Sequence, residues 1–386
     1  MTTDIPRSAS VVIVGGGVMG ASAAYHLAAA GVRGVLLLER ESNFGQGATG
    51  RCAGGVRYQF ATEVNVRLSL ASLPMLEHFE EETGQSCDYR RCGYLFVLTE
   101  AQQVEAFRRN LSMQHRLGVQ TEWLTGDDVR RRLPMMRFDD ALGGTFHALD
   151  GLADPHGVVM GYLRRARDLG ALTMTDVTVQ GIRTSAGRVV GVATKLGEIS
   201  CTSVVNAAGP WAAQIGEMAG VSLPITPIRR QMVTTTPLPA LPRDFPFVID
   251  FAQSLYFHRE GEGILTGMSN PKQEPGYDQS LDPLWEQVAI EVAMRRMPML
   301  EGAGRLTGWA GLYEVTPDAH PIFGPTPLEG FWVVAGFSGH GFMHGPISGK
   351  LMAEFLVHGK PLSVDVSMLD LARFREGRLI HEYNVV

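Results

Sequence analysis

The residues near the start of the chain whose types and spacing could do chemistry are three glycines and one glutamate. Gly15, Gly17 and Gly20 follow the pattern G-x-G-x-x-G, and Glu39 stands further along. Glycines at these positions allow a sharp turn and let a pyrophosphate approach the backbone. A glutamate at this distance can accept hydrogen bonds from ribose hydroxyl groups. The predicted chemistry is recognition of a dinucleotide.

A strand, a helix and a second strand must hold these residues in place. The apolar run 11–14 predicts a buried strand, and the Ala-rich stretch 19–30 predicts a helix that ends at Gly31. The N-terminus of that helix offers free N–H groups and a partial positive charge to phosphates. The second strand, Val35–Leu38, ends at Glu39. A plain βαβ packing turn with a surface glutamate is the alternative interpretation.

Composition and charge limit the class of protein. The chain has 386 residues, 45% of them hydrophobic, and a formal net charge of −6, which suits one large or two medium domains. Mixed charges without a basic stripe argue against a nucleic-acid surface. No apolar run reaches about 18 residues, so no membrane span is predicted. The N-terminus leaves no room for a signal peptide, and we expect a cytoplasmic location.

Four cysteines are scattered through the sequence, at Cys52, Cys87, Cys92 and Cys201. Their spacing fits neither a zinc site nor an iron–sulfur cluster, so no metal site is predicted. We expect small buried thiols in a reducing compartment. A reactive Cys52 close to the nucleotide is the alternative.

Hydrophobic periodicity and turn residues predict the remaining elements. Helices are expected at 63–82, 100–117 and 158–169, and strands at 93–98, 173–182, 189–195, 204–205, 231–236, 263–268 and Phe331–Ala335. The proline-containing stretch 224–298 is interpreted as an antiparallel sheet. After the last strand comes a glycine-rich loop, and Pro346 is expected in the first turn of a helix through Leu356.

Five ordered motifs spread over the whole length establish a family resemblance. They read V-V-I-V-G-G-G-V-M-G, G-A-T-G-R-C-A-G-G-V-R-Y-Q-F, V-V-N-A-A-G-P-W, Y-E-V-T-P-D-A-H-P-I-F-G and V-V-A-G-F-S-G-H-G-F-M. The chain resembles the D-amino-acid-oxidase/glycine-oxidase superfamily of FAD-dependent oxidoreductases. Within it, the sequence is most similar to the β subunits of heterotetrameric sarcosine oxidase and dye-linked L-proline dehydrogenase.

The resemblance implies a mixed fold, α/β together with α+β. A Rossmann-type FAD-binding domain like that of glutathione reductase, with a parallel sheet and helices, would comprise residues 1–82, 146–220 and 318–386. An antiparallel-sheet substrate domain, residues 83–145 and 221–317, would be interleaved with it.

The resemblance also implies which residues bind FAD. They are Gly15, Gly17, Val18, Met19, Gly20, Glu39, Arg40, Ala48, Thr49, Gly50, Arg51, Val179, Ala208, Gly209, Trp211, Gly339, His340, Gly341, Phe342 and Met343. Backbone N–H groups of 339–345, at the start of the helix predicted near Pro346, would stabilise negative charge on the reduced flavin. Ordinary core packing is the alternative for Val179 and Trp211.

The expected substrate site combines an arginine, two tyrosines and a histidine. Arg57 resembles the carboxylate-binding arginine of sarcosine oxidase, and a guanidinium matches a carboxylate bidentately. Tyr256 and Tyr313 resemble an aromatic cage over the flavin. His340 would lie beside the flavin and add positive potential. The alternatives are a surface arginine, tyrosines that only pack, and a loop histidine satisfied by the backbone.

Three departures from monomeric sarcosine oxidase and its relatives refine the expectation. Gly311 stands at the position of a flavin-linking cysteine, and Arg51 stands where dimethylglycine dehydrogenase has its linking histidine, so we expect non-covalent FAD. Met343 replaces a second carboxylate-binding lysine. Leu265 is aligned with the lysine that assists oxygen activation, which favours an acceptor other than O2.

The expected function is oxidation of an amino acid or N-alkyl amino acid by hydride transfer to the flavin, giving an imine. His258 and His340 are the only side chains proposed to handle protons. Resemblance to β subunits implies an α-subunit partner and FMN at the subunit interface, although Pro155 replaces the FMN-linking histidine and His156 is adjacent. A non-catalytic assembly factor or structural subunit, and an NAD-dependent dehydrogenase, are the competing interpretations.

Overall fold

Residues 5–385 of the chain are described by a computed structural model. The strands are β1 (Val11–Val14), β2 (Val35–Leu38), β3 (Gly55–Val56), β4 (Tyr94–Leu98), β5 (Glu122–Thr125), β6 (Gly143–His147), β7 (Gly151–Leu152), β8 (Leu172–Met174), β9 (Val179–Ser185), β10 (Arg188–Thr194), β11 (Gly197–Ser200), β12 (Ser203–Asn206), β13 (Thr226–Thr235), β14 (Phe247–Asp250), β15 (Leu255–Glu260), β16 (Gly263–Met268), β17 (Arg305–Val315), β18 (Ile322–Pro325) and β19 (Phe331–Ala335). The α-helices are α1 (Val18–Ala29), α2 (Glu63–Glu77), α3 (Phe79–Thr83), α4 (Ala101–Arg116), α5 (Gly126–Arg132), α6 (Pro155–Asp168), α7 (Ala212–Met218), α8 (Pro283–Arg296), α9 (Gly341–His358) and α10 (Ala372–Glu376).

A six-stranded sheet holds the dinucleotide pattern. Its strand order is β18-β19-β12-β1-β2-β8, and all neighbours are parallel except β18 and β19. Val14 at the end of β1 pairs with Leu38 and with Asn206. The strands β1, β2 and β12 therefore end at one edge, which is where open α/β sheets bind their ligands.

A second, eight-stranded sheet has the order β17-β13-β16-β15-β14-β4-β6-β5 and is antiparallel except between β14 and β4. Its strands come from residues 94–147 and 226–315 of the chain. Smaller sheets are formed by β11-β10-β9 and by β3-β7. The mixed α/β and α+β fold class is confirmed, whereas the domain boundaries stay a proposal; β6 extends two residues beyond the boundary proposed at 145.

Two helices begin at aspartate–proline pairs where the sequence analysis predicted no helix start. The helix expected from residue 158 begins at Pro155, and α8, which was not predicted at all, begins at Pro283. In each case the preceding aspartate, Asp154 or Asp282, accepts hydrogen bonds from two backbone N–H groups of the first turn. An aspartate cap followed by proline in the first helical position is a recognised start signal.

Two predicted elements are split, and one helix starts earlier than expected. The helix 63–82 divides at His78 into α2 and α3, and the strand 173–182 divides into β8 and β9, with Asp176 at φ 59° between them.

Pro346 lies inside α9, which begins at Gly341. The first turns of α9 pack closely on α1, because a Cβ on Gly345 would lie 2.4 Å from a methyl carbon of Val18.

Candidate active site

A cavity of about 530 Å³ lies at the carboxyl edge of the six-stranded sheet and extends to the eight-stranded sheet. The first sheet contributes the residues that follow β1, β2 and β12, and the second contributes side chains of β13, β14, β15 and β17. The loop before α9 and its first turn complete the wall. The five motifs that are far apart in sequence thus meet around one space.

The turn after β1 is built for close approach. Gly15 has φ 109°, and a Cβ there would lie 2.4 Å from the carbonyl oxygen of Ala207, so no other residue fits without strain. Glu39 accepts hydrogen bonds from the N–H groups of Gly16 (2.6 Å) and Glu41 (2.9 Å). Its carboxylate therefore lies at the turn, in the wall of the cavity.

Most of the residues predicted to bind FAD line this cavity. They are Gly15, Gly17, Val18, Met19, Glu39, Arg40, Ala48, Thr49, Arg51, Val179, Ala208, Gly209, Trp211, Gly339, His340, Gly341, Phe342 and Met343. Gly20 and Gly50 do not. A Cβ on Gly20 would lie 1.9 Å from the oxygen of Gly15, and one on Gly50 would lie 2.2 Å from the oxygen of Gly45, so both allow close backbone packing.

The helix correction changes which N–H groups are free at the tail motif. Because α9 begins at Gly341, the first-turn groups are those of Gly341, Phe342 and Met343. The N–H of His340 already bonds to the oxygen of Phe337 (3.0 Å). Of the expected N–H donors 339–345, that of His340 is thus already used, whereas Gly339 and the three residues that begin α9 all line the cavity.

Arg57 is buried in the cavity wall, with 5% of its surface exposed. Its guanidinium donates to the carbonyl oxygens of Gln59 and Asn384 and lies 4.0 Å above the ring of Phe60. Among the described residues no carboxylate lies within salt-bridge distance of it, and burial lowers its pKa. A guanidinium has five N–H groups, so three of them donate to no acceptor recorded within residues 5–385.

Tyr256 and Tyr313 line the same part of the cavity, together with an arginine that the sequence analysis missed. The guanidinium of Arg230 lies 5.1 Å from the ring centre of Tyr313, and its buried Nε has no hydrogen-bond partner among the described residues. Burial is the largest cause of its lowered pKa. Arg230 lies in β13, one residue before the start of the strand predicted at 231–236, and none of the five motifs contains it.

His340 lies in the cavity wall, and its burial disfavours the positive charge expected from it. The side chain is 2% exposed, and neither ring nitrogen has a hydrogen-bond partner within residues 5–385. Burial, followed by His344, His320 and Arg57, lowers its pKa well below the usual value. The ring is therefore neutral at neutral pH. The alternative, a loop histidine whose ring nitrogens bond to the backbone, does not hold among the described residues.

His258 and Leu265 are not brought into the cavity. His258 is 1% exposed, its Nδ1 lies 3.0 Å from the oxygen of Arg259, and burial lowers its pKa to about 4. This removes it as a proton handler. Leu265 is buried in β16, away from the cavity lining.

Arg51 and Gly311, the two positions at which the resemblance suggested that a flavin link is missing, lie against each other. A Cβ on Gly311 would be 2.9 Å from the Cβ of Arg51, and the Arg51 guanidinium donates to the oxygen of Ala310 (2.8 Å). Neither residue is a nucleophile. Cys52 also lines the cavity, but burial raises its pKa to about 11, so it stays a thiol.

Several residues that line this cavity carry a buried polar atom without a partner in the described structure, as is expected where a polar cofactor binds. They are His340, Arg230, Gln279 and Glu314. Together with the glycine turn and the first turn of α9, they fit FAD as the bound group. Within residues 5–385 no group of acidic, histidine or cysteine side chains could hold a metal ion. No described helix is long and apolar enough to cross a membrane.

Solved structures share this architecture. L-Proline dehydrogenase from P. horikoshii matches with a TM-score of 0.90 and 32% identity, over 97% of this chain and 100% of that one. Glycine oxidase from Geobacillus kaustophilus matches with a TM-score of 0.84 and 25% identity, over 95% of this chain and 99% of that one.

Sequence relatives point in the same direction. Mitochondrial sarcosine dehydrogenase of Homo sapiens is 31% identical over 98% of this chain, and mitochondrial dimethylglycine dehydrogenase of Rattus norvegicus is 30% identical over 95% of it. The chain spans only 42% and 45% of these two proteins. The profile of the family described as DAO, FAD dependent oxidoreductase, matches residues 10–355. The resemblance expected from the motifs is confirmed: the chain belongs to the DAO family of FAD-dependent oxidoreductases.

Proposed function

We propose that the chain oxidises the C–N bond of an α-amino acid or N-alkyl amino acid, with FAD held non-covalently. The observation that supports this most is the buried Arg57 in the cavity wall: among the described residues only two carbonyl oxygens accept from its guanidinium, and no carboxylate lies beside it. The names of the relatives, sarcosine, dimethylglycine and proline dehydrogenases, support the substrate class.

The protein's own residues would bind and orient the substrate. Arg57 would hold the carboxylate through two parallel N–H···O bonds. Tyr256 and Tyr313 would exclude water from the reacting carbon, and the neutral His340 leaves the amine without a charged neighbour at that position. When bound, FAD supplies a two-electron acceptor for the hydride on the carbon next to the amine nitrogen. Water would then hydrolyse the imine product.

We propose a dehydrogenase rather than an oxidase. The support for this choice is the names of the relatives. The apolar Leu265 was the sequence-based reason for an acceptor other than O2, yet it does not line the cavity, and Arg230 brings a positive charge there. Glycine oxidase shares the fold as well. Anaerobically reduced protein mixed with O2 or with a dye will decide this: reoxidation that is faster with the dye supports a dehydrogenase, and fast reoxidation by O2 contradicts it.

Anaerobic bleaching of the flavin tests the proposed substrate class. The panel contains sarcosine, glycine, L- and D-proline, hydroxyproline and opines. Each amino acid is paired with an amine that lacks the carboxylate, such as pyrrolidine for proline. We expect bleaching by at least one amino acid and weak bleaching by its partner amine. No bleaching across the panel favours the non-catalytic flavoprotein, and absence of yellow colour with absorbance near 450 nm contradicts FAD altogether.

An α-subunit partner and an interface FMN stay proposals that follow from the β-subunit resemblance. Pro155 is the first residue of α6 and His156 is exposed beside it, so covalent attachment of FMN at this position is not expected. Mass measurement of the complex isolated from the native cell, with flavin analysis, tests both proposals.

A further inference from the structure

Glu314 is a buried acid in the cavity wall that the proposed chemistry does not use. It lies in β17 directly after Tyr313, is 8% exposed, and lines the cavity. Its Oε2 is buried and has no hydrogen-bond partner in the described structure. An unpaired carboxyl oxygen in this position costs free energy unless a ligand completes its hydrogen bonding.

The surroundings of this carboxyl group are fixed by backbone. The N–H of Ser338 donates to the Glu314 carbonyl oxygen (3.1 Å), which ties β17 to the loop before α9. A Cβ on Gly209 would lie 3.6 Å from Oε2, so the segment that ends the third motif lies close to this oxygen. The carboxyl group therefore lies where two of the cofactor-binding motifs meet.

The electrostatics favour the neutral acid. Burial raises the pKa of Glu314 to about 7, and the N–H groups of Gly336 and Phe337 lower it only in part. The packed segments 208–211 and 336–338 have no ionisable side chain, and the arginines of the paired strand, Arg229 and Arg230, do not contribute to the shift. The pyrophosphate of a bound dinucleotide is anionic, so its arrival in the same cavity would favour the neutral form further.

We propose that Glu314 binds FAD as a neutral carboxylic acid that donates a hydrogen bond from Oε2, so that cofactor binding takes up one proton. The proton comes from solvent and stays on the side chain; no bond of the cofactor changes. The proposal depends on FAD as the cofactor and not on the proposed substrate, so a failed substrate panel leaves it standing.

Titration of the apoprotein with FAD between pH 6 and 9, followed by quenching of flavin fluorescence, tests this. Above the pKa of the free side chain, we expect the wild-type Kd to rise by up to about tenfold per pH unit, because proton uptake and binding are linked. Glu314→Gln keeps a donor without a titrating proton and should show a flat profile. Glu354→Gln alters a buried acid outside the cavity and should keep the wild-type slope.

Two results would overturn the proposal. One is a wild-type affinity that weakens toward low pH, which would mean that an ionised carboxylate accepts a hydrogen bond from FAD. The other is an unchanged slope in Glu314→Gln. If that variant does not fold, calorimetry of the wild type in buffers of different ionisation enthalpy gives the proton count directly. We expect nearly one proton taken up at pH 8 and much less at pH 6; no uptake at pH 8 contradicts the proposal.

Discussion

Burial decides the charge of the ionisable groups around the cavity. The pKa of His340 is lowered and that of Cys52 is raised, so both groups are neutral at neutral pH. The arginines Arg57 and Arg230 keep their charge because the guanidinium pKa starts far above neutrality. The substrate end of the cavity is consequently cationic, and an anionic group such as a carboxylate is the natural complement.

Replacing Arg57 tests the proposed carboxylate contact. Arg57→Lys loses the planar fork and Arg57→Ala loses the charge, so we expect KM for amino-acid substrates to rise by about tenfold and about a hundredfold, which corresponds to roughly 1.4 and 2.8 kcal/mol. Steady-state kinetics with a dye acceptor measures both values. The exposed Arg67→Lys serves as control.

The matched amine separates this role from a general loss of structure. Turnover of pyrrolidine, which has no carboxylate, should change little in Arg57→Ala, and FAD content should match that of the wild type. If the variant loses turnover of proline and of pyrrolidine to the same extent, the carboxylate contact is wrong.

At the scale of elements, the sequence predicted the bounds of a strand correctly where the residues of that strand and its flanking turns determine them. The bounds of β1, β2, β16 and β19 agree with the prediction, because short apolar runs between turn residues determine them. The prediction from Pro346 was wrong: proline favours the first turn of a helix, yet α9 begins five residues earlier, and this added part packs against α1. Tertiary contacts can override propensity.

The cap of α6 provides a test of local stability. Asp154 accepts hydrogen bonds from the N–H groups of His156 (3.0 Å) and Gly157 (2.9 Å). Asp154→Ala leaves both groups without this partner, and we expect a loss of about 1 kcal/mol in the free energy of unfolding. Urea denaturation measures it, with the exposed Asp168→Ala at the other end of the helix as control.

A segment close to the end of the described residues supports Arg57. The Glu382 carboxylate accepts hydrogen bonds from the N–H groups of Ala61 (2.8 Å) and Thr62 (3.1 Å) and from the Asn65 side chain (3.0 Å). Two residues further on, the oxygen of Asn384 accepts a hydrogen bond from Arg57. Glu382 thereby holds in place the carbonyl group that positions the guanidinium.

Glu382→Gln should loosen that support. The amide has one oxygen fewer for N–H donors, so we expect KM for amino-acid substrates to rise about five- to tenfold with little change in FAD affinity. Kinetics and flavin titration measure the two quantities, and the exposed Glu376→Gln is the control. A loss of FAD affinity with unchanged KM would show that the segment supports the cofactor instead.

At the scale of the whole molecule, the two ends of the cavity differ in how far sequence could predict them. The dinucleotide turn is local, because Gly15 and Glu39 belong to one βαβ unit. The substrate end joins Arg57 to Arg230 on a different sheet and to the segment near Asn384. No periodicity relates positions so far apart, which is why Arg230 was missed. Glu314 follows Tyr313 in a recognised motif, but its burial, which gives it chemical interest, depends on tertiary packing.

Because both sheets line one cavity, a cofactor bound there should stabilise the whole chain, and it should be removable. Neither Arg51 nor Gly311 is a nucleophile, and the Cys52 thiol has a pKa of about 11, so we expect acid precipitation to release all flavin into the supernatant. FAD added back at about a hundred times its Kd should raise the free energy of unfolding by about 2.7 kcal/mol. Absorbance of the supernatant and thermal denaturation of apoprotein and reconstituted protein measure these effects. Yellow precipitate would contradict non-covalent binding, and an unchanged Tm would contradict a cofactor that contacts both sheets.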